Sequence, residues 1–152
     1  MLLIRKAQQF DCRSYFELVN DHLVRQNSIS TDMVQWDEHK KWFMERLSSK
    51  NTLLLVAEKE SFFLGQVRFD YCTNRAVWFI DYSINKDFRG QGYAKEMVNK
   101  SMIYLSKLDL KSKIINASVK HENLPSKKVF QALGFNTLDQ DELIVTYTKK
   151  ID

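Results

Sequence analysis

Apolar positions follow two rhythms along this chain. Between Thr52 and Ile84 they alternate or run together. Thr52–Glu58, Phe62–Tyr71 and Ala76–Ile84 are rich in β-branched and aromatic residues and predict three consecutive strands. Elsewhere the spacing is three or four. Cys12, Tyr15, Val19 and Leu23 predict a helix from Asp11 to about Leu23 with Asp11 as its cap, followed by a polar loop over residues 24–35. Trp36, Phe43 and Leu47 mark one side of a helix over Asp37–Leu47. Ala94, Met97, Val98, Ser101, Met102 and Leu105 form the stripe of a helix over Gln91–Ser106. Leu2–Arg5, Lys113–Val119 and Asp141–Thr148 read as further strands. Leu124–Leu133 reads as a last helix, with Pro125 in its first turn and Gly134 as its stop. The order β-α-α-β-β-β-α-β-α-β predicts an α/β fold with a mixed sheet, in one domain over residues 1–152.

The second and third central strands are joined by Cys72-Thr73-Asn74-Arg75, a hairpin signal. A two-residue turn at Thr73 and Asn74 pairs Tyr71 with Ala76, Val67 with Ile80 and Gln66 with Asp81. That register sorts the side chains cleanly. Val67, Phe69, Tyr71, Trp78, Ile80, Tyr82 and Ile84 share an apolar face. Gln66, Arg68, Asp70, Asp81 and Ser83 share a polar one, which faces water or a ligand.

Composition narrows the class. The 152 residues are 44% hydrophobic and 28% charged, ordinary for one soluble domain. No apolar run approaches the roughly 20 residues of a membrane helix, and the start Met-Leu-Leu-Ile-Arg-Lys lacks the order of a secretory signal. These features predict a cytoplasmic protein with Cys12 and Cys72 reduced. The formal charge of +4 is uneven. The chain is neutral up to Glu60, whereas Lys95–Lys128 carries eight lysines against three acidic residues. Solvated helix faces account for such lysines, and so does attraction for a polyphosphate. The basic residues are not interleaved with exposed aromatics, which argues against a nucleic-acid partner.

The segment Ile84-Asn-Lys-Asp-Phe-Arg89-Gly90-Gln91-Gly92-Tyr93-Ala94-Lys95 runs from a strand through glycines into a helix. Glycines there permit close backbone approach, and the first helical turn offers unpaired N–H donors backed by the helix dipole. Such a junction either binds an anion or simply makes a tight turn. It lacks the Gly-Lys-Ser/Thr of a Walker loop and the third small residue of the dinucleotide fingerprint.

Arg89-x-x-Gly92-x-Ala94 resembles the Arg/Gln-x-x-Gly-x-Gly/Ala signature of the GNAT superfamily of N-acetyltransferases. Asn123-Leu-Pro-Ser126-Lys-Lys-Val-Phe130-Gln-Ala-Leu-Gly134-Phe135 is similar to that family's segment after its fifth strand. The resemblance covers about Leu2 to Tyr147. It implies a fold whose fourth and fifth strands run parallel and splay apart, with acetyl-CoA in the wedge as co-substrate and no metal. It places Tyr82, Ser83 and Ile84 along the pantetheine arm. Arg89, Gly90, Gln91, Gly92, Tyr93, Ala94 and Lys95 lie against the pyrophosphate. Asn123, Ser126, Lys127 and Phe130 lie along the rest of CoA, with Lys95 and Lys127 as partners for its 3′-phosphate. The reaction needs a base for the attacking amine, a donor for the carbonyl oxygen and an acid for the thiolate. Asp81 is the candidate base; its alternative role is a structural pair with Arg68. Many members carry a tyrosine where this chain has Phe130, so the acid falls to Tyr82, Tyr93 or Tyr147, or the thiolate leaves unassisted, or activity is lost.

Leu23-Val-Arg25-Gln26-Asn27-Ser28, His39-x-x-Trp42-Phe43 and Gly65-Gln66-Val67-Arg68-Phe69 resemble a subgroup acting on nucleotide-linked amino sugars, of the pseudaminic acid pathway type. That implies the 4-amino group of a UDP-linked deoxy-amino sugar as acceptor, touched by Asn27, Ser28, His39, Trp42, Arg68 and Asp81. Two other readings remain: an acetyltransferase for peptide N-termini of the ribosomal-protein type, and a CoA-binding module with weakened chemistry. Either a monomer or a homodimer is compatible with the sequence.

Overall fold

A computed structural model describes residues 1–108 and 110–152. Strand β1 (Leu2–Lys6) leads through a short 3-10 turn into α1 (Cys12–Val19), α2 (His22–Asn27) and α3 (Trp36–Leu47). Strands β2 (Thr52–Lys59), β3 (Phe62–Cys72) and β4 (Val77–Ile84) follow, then α4 (Tyr93–Ser106), β5 (Ile114–Lys120), α5 (Leu124–Ala132), β6 (Asn136–Gln140) and β7 (Ile144–Lys150). The seven strands form one sheet in the order β1-β2-β3-β4-β5-β7-β6. All neighbouring strands are antiparallel except β4 and β5, which are parallel. This is the expected mixed α/β sheet.

The sheet is covered on both faces, which explains the unbroken apolar run in β2. Leu53, Leu55 and Ala57 join Val67, Phe69, Met97, Val98, Leu105 and Phe130 in a large core beneath α4 and α5. Leu54 and Val56, on the other parity, join Cys12, Tyr15 and Phe43 in a smaller core beneath α1 and α3.

Several elements depart from expectation. The first helix stops at Val19 instead of reaching Leu23. The Asn20 carboxamide clamps the Val34 backbone, with Nδ2 to its O at 2.8 Å and Oδ1 from its N–H at 2.7 Å. Asp21 then caps a separate helix that runs from the expected end of the first helix into the expected loop, accepting the N–H groups of Leu23 and Val24. Asp11 makes no side-chain cap on α1; its carboxylate instead takes Arg5 bidentately, at 2.7 and 2.8 Å. β6 escaped the sequence because its Asn-Thr-Leu-Asp-Gln is exposed throughout and held only by pairing with β7. β7 starts at Ile144, since Asp141 folds back to accept the Leu143 and Ile144 N–H groups.

The β3–β4 hairpin is also longer than expected. Its connection is Thr73–Ala76, with Ala76 at φ +54°, so Cys72 pairs with Val77 and Arg68 with Asp81. The register moves by two residues, and because side chains alternate with period two every residue keeps its expected face.

β4 and β5 pair only at Trp78–Ile115 and Phe79–Asn116. Beyond that point β4 continues along β3 to Ile84, while β5 continues along β7 to Lys120. The two strands have parted, opening a wedge at their C-terminal ends.

Gly65, opposite Ile84, holds the free end of β4 in place. A Cβ on Gly65 would lie 2.4 Å from Ser83 O and 3.0 Å from Met97 Sδ. Gly65→Ala is expected to lower stability by about 1–3 kcal/mol through overpacking, read as a lower urea midpoint. An unchanged midpoint would mean that this end of β4 yields freely.

Candidate active site

Local backbone chemistry builds one wall of the wedge. Asn85 N–H donates to Leu64 O, which fixes the alternation along β4. Backbone groups of Ser83 and Asp81 therefore face β3, and those of Tyr82 and Ile84 face the edge that β5 has left. The expected strand edge thus consists of Tyr82 and Ile84 and does not include Ser83. The Ile84 carbonyl already receives Arg89 Nε at 3.0 Å, which leaves the two N–H groups and Tyr82 O along the gap.

The glycine junction opens directly from this strand. Gly90 and Gly92 take φ of +75° and +82°, with nothing within 4 Å of the place a Cβ would occupy, and Gly92 is the N-cap of α4. Among the described residues, the amides of Gly90 to Lys95 donate to no backbone or side-chain acceptor. Six consecutive donors at the positive end of a 14-residue helix suit an anion chemically. Arg89 differs from expectation. Its amide closes a turn onto Lys86 O, and its guanidinium binds Asp21 Oδ1 at 2.8 Å as well as Ile84 O.

The opposite wall comes from α5. Asn123 caps this helix by accepting the Ser126 N–H at 3.3 Å. Ser126, nearly buried, donates its hydroxyl to Tyr82 Oη at 2.8 Å, bridging the wedge on the α4/α5 face. Phe130 is 2% exposed, edge-on to Tyr82 at 5.8 Å and stacked on Tyr147 at 6.2 Å. Burial is the largest influence on Tyr82 and raises its pKa, so it holds its proton at neutral pH. Tyr147 is sealed behind Phe130 at 1% exposure. Tyr93 turns toward Phe88 and carries Lys59 Nζ 5.2 Å above its ring, two strands from β4 on the side away from β5. Of the three candidate tyrosine acids, only Tyr82 lines the wedge.

The other face carries the polar row. Asp81 lies opposite Arg68, with Arg68 Nη2 4.0 Å from Asp81 Oδ2, and the Asp81 side chain is half exposed. Arg68 binds Asp70 more closely, Nε to Oδ2 at 2.7 Å, and lies 5.3 Å over the Trp42 ring. Burial works against the Arg68 charge, but Asp81 and Asp70 outweigh it and its pKa is raised. Arg68 thus stands between Trp42 and Asp81, bringing three of the predicted acceptor residues together. His39 packs against Trp42, ring centroids 5.8 Å apart, but from within the core, and Ser28 does not join them. His39 is 3% exposed in the smaller core, its Nε2 3.1 Å from Cys12 O, and burial lowers its pKa. Ser28 spends its hydroxyl on Val24 O at 2.6 Å and receives Arg25 at 3.1 Å. Asn27 ends α2. Lys95 is exposed and Lys127 half-buried, in the first turns of α4 and α5.

Sequence reasoning passed over Asp21 and Gln66. Asp21 follows Asn20 and precedes a short apolar-polar run, a cap signal that could have been read. Through Arg89, Asp21 ties α2 to the end of β4, and Lys120 Nζ ties the other end of α2 to β5 by donating to Gln26 O at 3.0 Å. Among the described residues no group of three or more His, Cys, Asp or Glu side chains could hold a metal ion, and no helix is long and apolar enough to cross a membrane.

A family model described as an acetyltransferase (GNAT) domain matches residues 1–136. No curated protein matches the sequence significantly. Solved structures match throughout. The spermidine N-acetyltransferase from Vibrio cholerae, in complex with CoA and spermine, aligns with a TM-score of 0.85 at 16% identity, over 98% of this chain and 95% of that one. An N-acetyltransferase from Staphylococcus aureus Mu50 aligns at 0.82 and 16% identity, over 99% and 98%. An acetyltransferase of the GNAT family from Streptococcus pneumoniae aligns at 0.80 and 18% identity, over 100% of both. At these identities the likeness concerns the fold.

The Asp21 tether has a pH signature. Burial works against its charge, but hydrogen bonds from Arg89 and the α2 amides prevail and hold its pKa below the ordinary value of 3.8. Its stabilising contribution is therefore full above that value and is lost as pH falls through the lower folded value. Protection of the His22–Asn27 amides, relative to their intrinsic exchange rate at each pH, is expected to fall in that acid window. In Asp21→Ala it is expected to be lower already at neutral pH, by the loss of about 1 kcal/mol. Equal neutral-pH exchange in the two proteins would show that the tether does not hold α2.

Proposed function

The chain belongs to the acetyltransferase (GNAT) domain family, and we propose that it moves an acetyl group from acetyl-CoA to the primary amine of a small molecule across the gap between β4 and β5. One observation carries this reading: the unengaged amides of Gly90–Lys95 stand at the end of a strand edge that has lost its neighbour. A diphosphate suits the amides, and an extended amide-bearing arm suits the N–H and C=O groups of Tyr82 and the N–H of Ile84. Ser126, Phe130 and the first turn of α5 form the facing wall, with Lys95 and Lys127 as cations for a further phosphate. Acetyl-CoA would supply the acetyl group as a thioester.

Adjacent residues of β4 then divide the proton work between the two faces of the sheet. On the α1/α3 face, Asp81 takes a proton from the acceptor nitrogen, directly or through water. The edge N–H of Tyr82 or Ile84 steadies the carbonyl oxygen as the N–C bond forms and the C–S bond breaks. On the α4/α5 face, the Tyr82 hydroxyl gives its proton to the departing sulfur and regains one from solvent. This assignment makes Phe130 compatible with turnover, because a phenol already stands at its edge.

For the acceptor we favour the 4-amino group of a UDP-linked deoxy-amino sugar. Support comes from the resemblance of Leu23–Ser28, His39–Phe43 and Gly65–Phe69, and from Trp42 beside Arg68 as a flat surface with a polar rim. The burial of His39 and the internal bonding of Ser28 remove two contacts that the sugar reading assigned. A second reading, a cationic amine such as a polyamine, is favoured by the excess of Asp70 and Asp81 over Arg68 on this face. The tethers that hold α2 to β4 and β5 favour a compact acceptor over a peptide.

Free-thiol release from acetyl-CoA, measured with a UDP-4-amino sugar, a polyamine and an N-terminal peptide in turn, tests the proposal. Turnover with the sugar is expected. Turnover with another amine alone would replace the acceptor, and tight CoA binding without turnover on any amine would favour a binding module. Gly92→Asp is expected to weaken CoA at least tenfold by calorimetry, because it sets a negative charge at the anion seat; unchanged affinity would refute that placement. Asp81→Asn is expected to lower kcat at neutral pH by about 100-fold, and Tyr82→Phe to lower kcat with little change in acceptor KM. A full rate in Asp81→Asn would return Asp81 to its pairing with Arg68.

A further inference from the structure

Gln66 lies in β3 opposite Ser83, one rung from the Arg68–Asp81 pair and on the same face. It is 6% exposed. Its Nε2 donates to Asp81 Oδ2 at 3.0 Å and to Ser83 Oγ at 3.3 Å, while its Oε1 is buried without a hydrogen-bond partner among the described residues. A buried carboxamide with one end unsatisfied serves the fold less well than an apolar side chain of the same size. Its presence calls for a reason other than stability.

The neighbouring contacts supply that reason. Arg68 commits its close bond to Asp70 at 2.7 Å and stands 4.0 Å from Asp81, across a half-exposed and screened gap. Gln66 is therefore the nearest donor to Asp81. It engages one carboxylate oxygen, and Oδ1 makes no contact of this kind among the described residues. A neutral amide also orients a carboxylate without adding a cation, which would hold the carboxylate ionised and weaken it as a proton acceptor.

We propose that Gln66 is the positioning residue for Asp81: its carboxamide fixes Oδ2 and turns Oδ1 toward the acceptor amine. This deepens, and rests on, the reading of Asp81 as the base. The charged and titratable groups facing Asp81 are Arg68 and Asp70 on β3 and Tyr15 on α1; Tyr82, next to it in the strand, points to the opposite face.

Four variants of the full chain, Asp81→Asn among them, test it by steady-state thiol release across pH, with CoA affinity and urea midpoints alongside. Gln66→Met is expected to keep or raise the urea midpoint, leave CoA affinity unchanged and lower kcat about 10- to 100-fold. Gln66→Glu is expected to move the acid limb of the pH–rate profile to higher pH, because two adjacent carboxylates share one proton. Adding Gln66→Met to Asp81→Asn is expected to cost no further rate, since both changes disable one unit. If Asp81→Asn alone keeps full activity, the base reading falls and this proposal with it. If Asp81→Asn is slow but Gln66→Met keeps full kcat, or Gln66→Glu leaves the pH profile in place, only the positioning role is overturned. A lowered urea midpoint in Gln66→Met with full kcat would assign Gln66 to the fold.

Discussion

The structure turns on how briefly β4 and β5 stay together. Two residue pairs join them, and then each follows its other neighbour, β4 along β3 and β5 along β7. A sheet interior normally satisfies every backbone group, so an interior strand with an open edge is unusual. Here that edge sits beside a helix N-terminus with six unengaged amides. Neither feature alone would specify a ligand. Together they place six free amides in line with an open strand edge, the arrangement on which the CoA proposal rests.

The wedge is bounded differently on its two sides. On the α4/α5 side it is largely aromatic and uncharged, lined by Tyr82, Phe130 and Ser126. On the α1/α3 side it is charged, lined by Asp81, Arg68 and Gln66. A reaction that takes a proton from one partner and gives one to the other can keep the two transfers apart on opposite sides of one strand.

Much of this was legible in the sequence. Strong periodicity located β2, β3, β4, α3, α4 and α5 to within a few residues. The glycine junction announced a tight turn into α4, because Gly90 and Gly92 serve a backbone shape that few other residues adopt. Less legible were features set by tertiary contact. The break after Val19 depends on Asn20 reaching Val34, fourteen residues on. The burial of His39 depends on α1 packing over α3. β6 exists through its ladder to β7, with no apolar face of its own to reveal it. The tyrosine that lines the wedge could not be chosen by composition, since Tyr82, Tyr93 and Tyr147 differ only in what surrounds them.

The hairpin ahead of β4 bears on how the chain can tolerate insertions. Its connection differed from expectation by two residues on β4 without moving any side chain to the wrong face. If β3 keeps its pairing, an even slip of β4 leaves Asp81 and Tyr82 on their own sides, although displaced along the wedge. An odd slip exchanges them, sending the carboxylate into the apolar core and the phenol out to the polar row. Length variation in the Thr73–Ala76 connection is therefore filtered by parity before it is filtered by size.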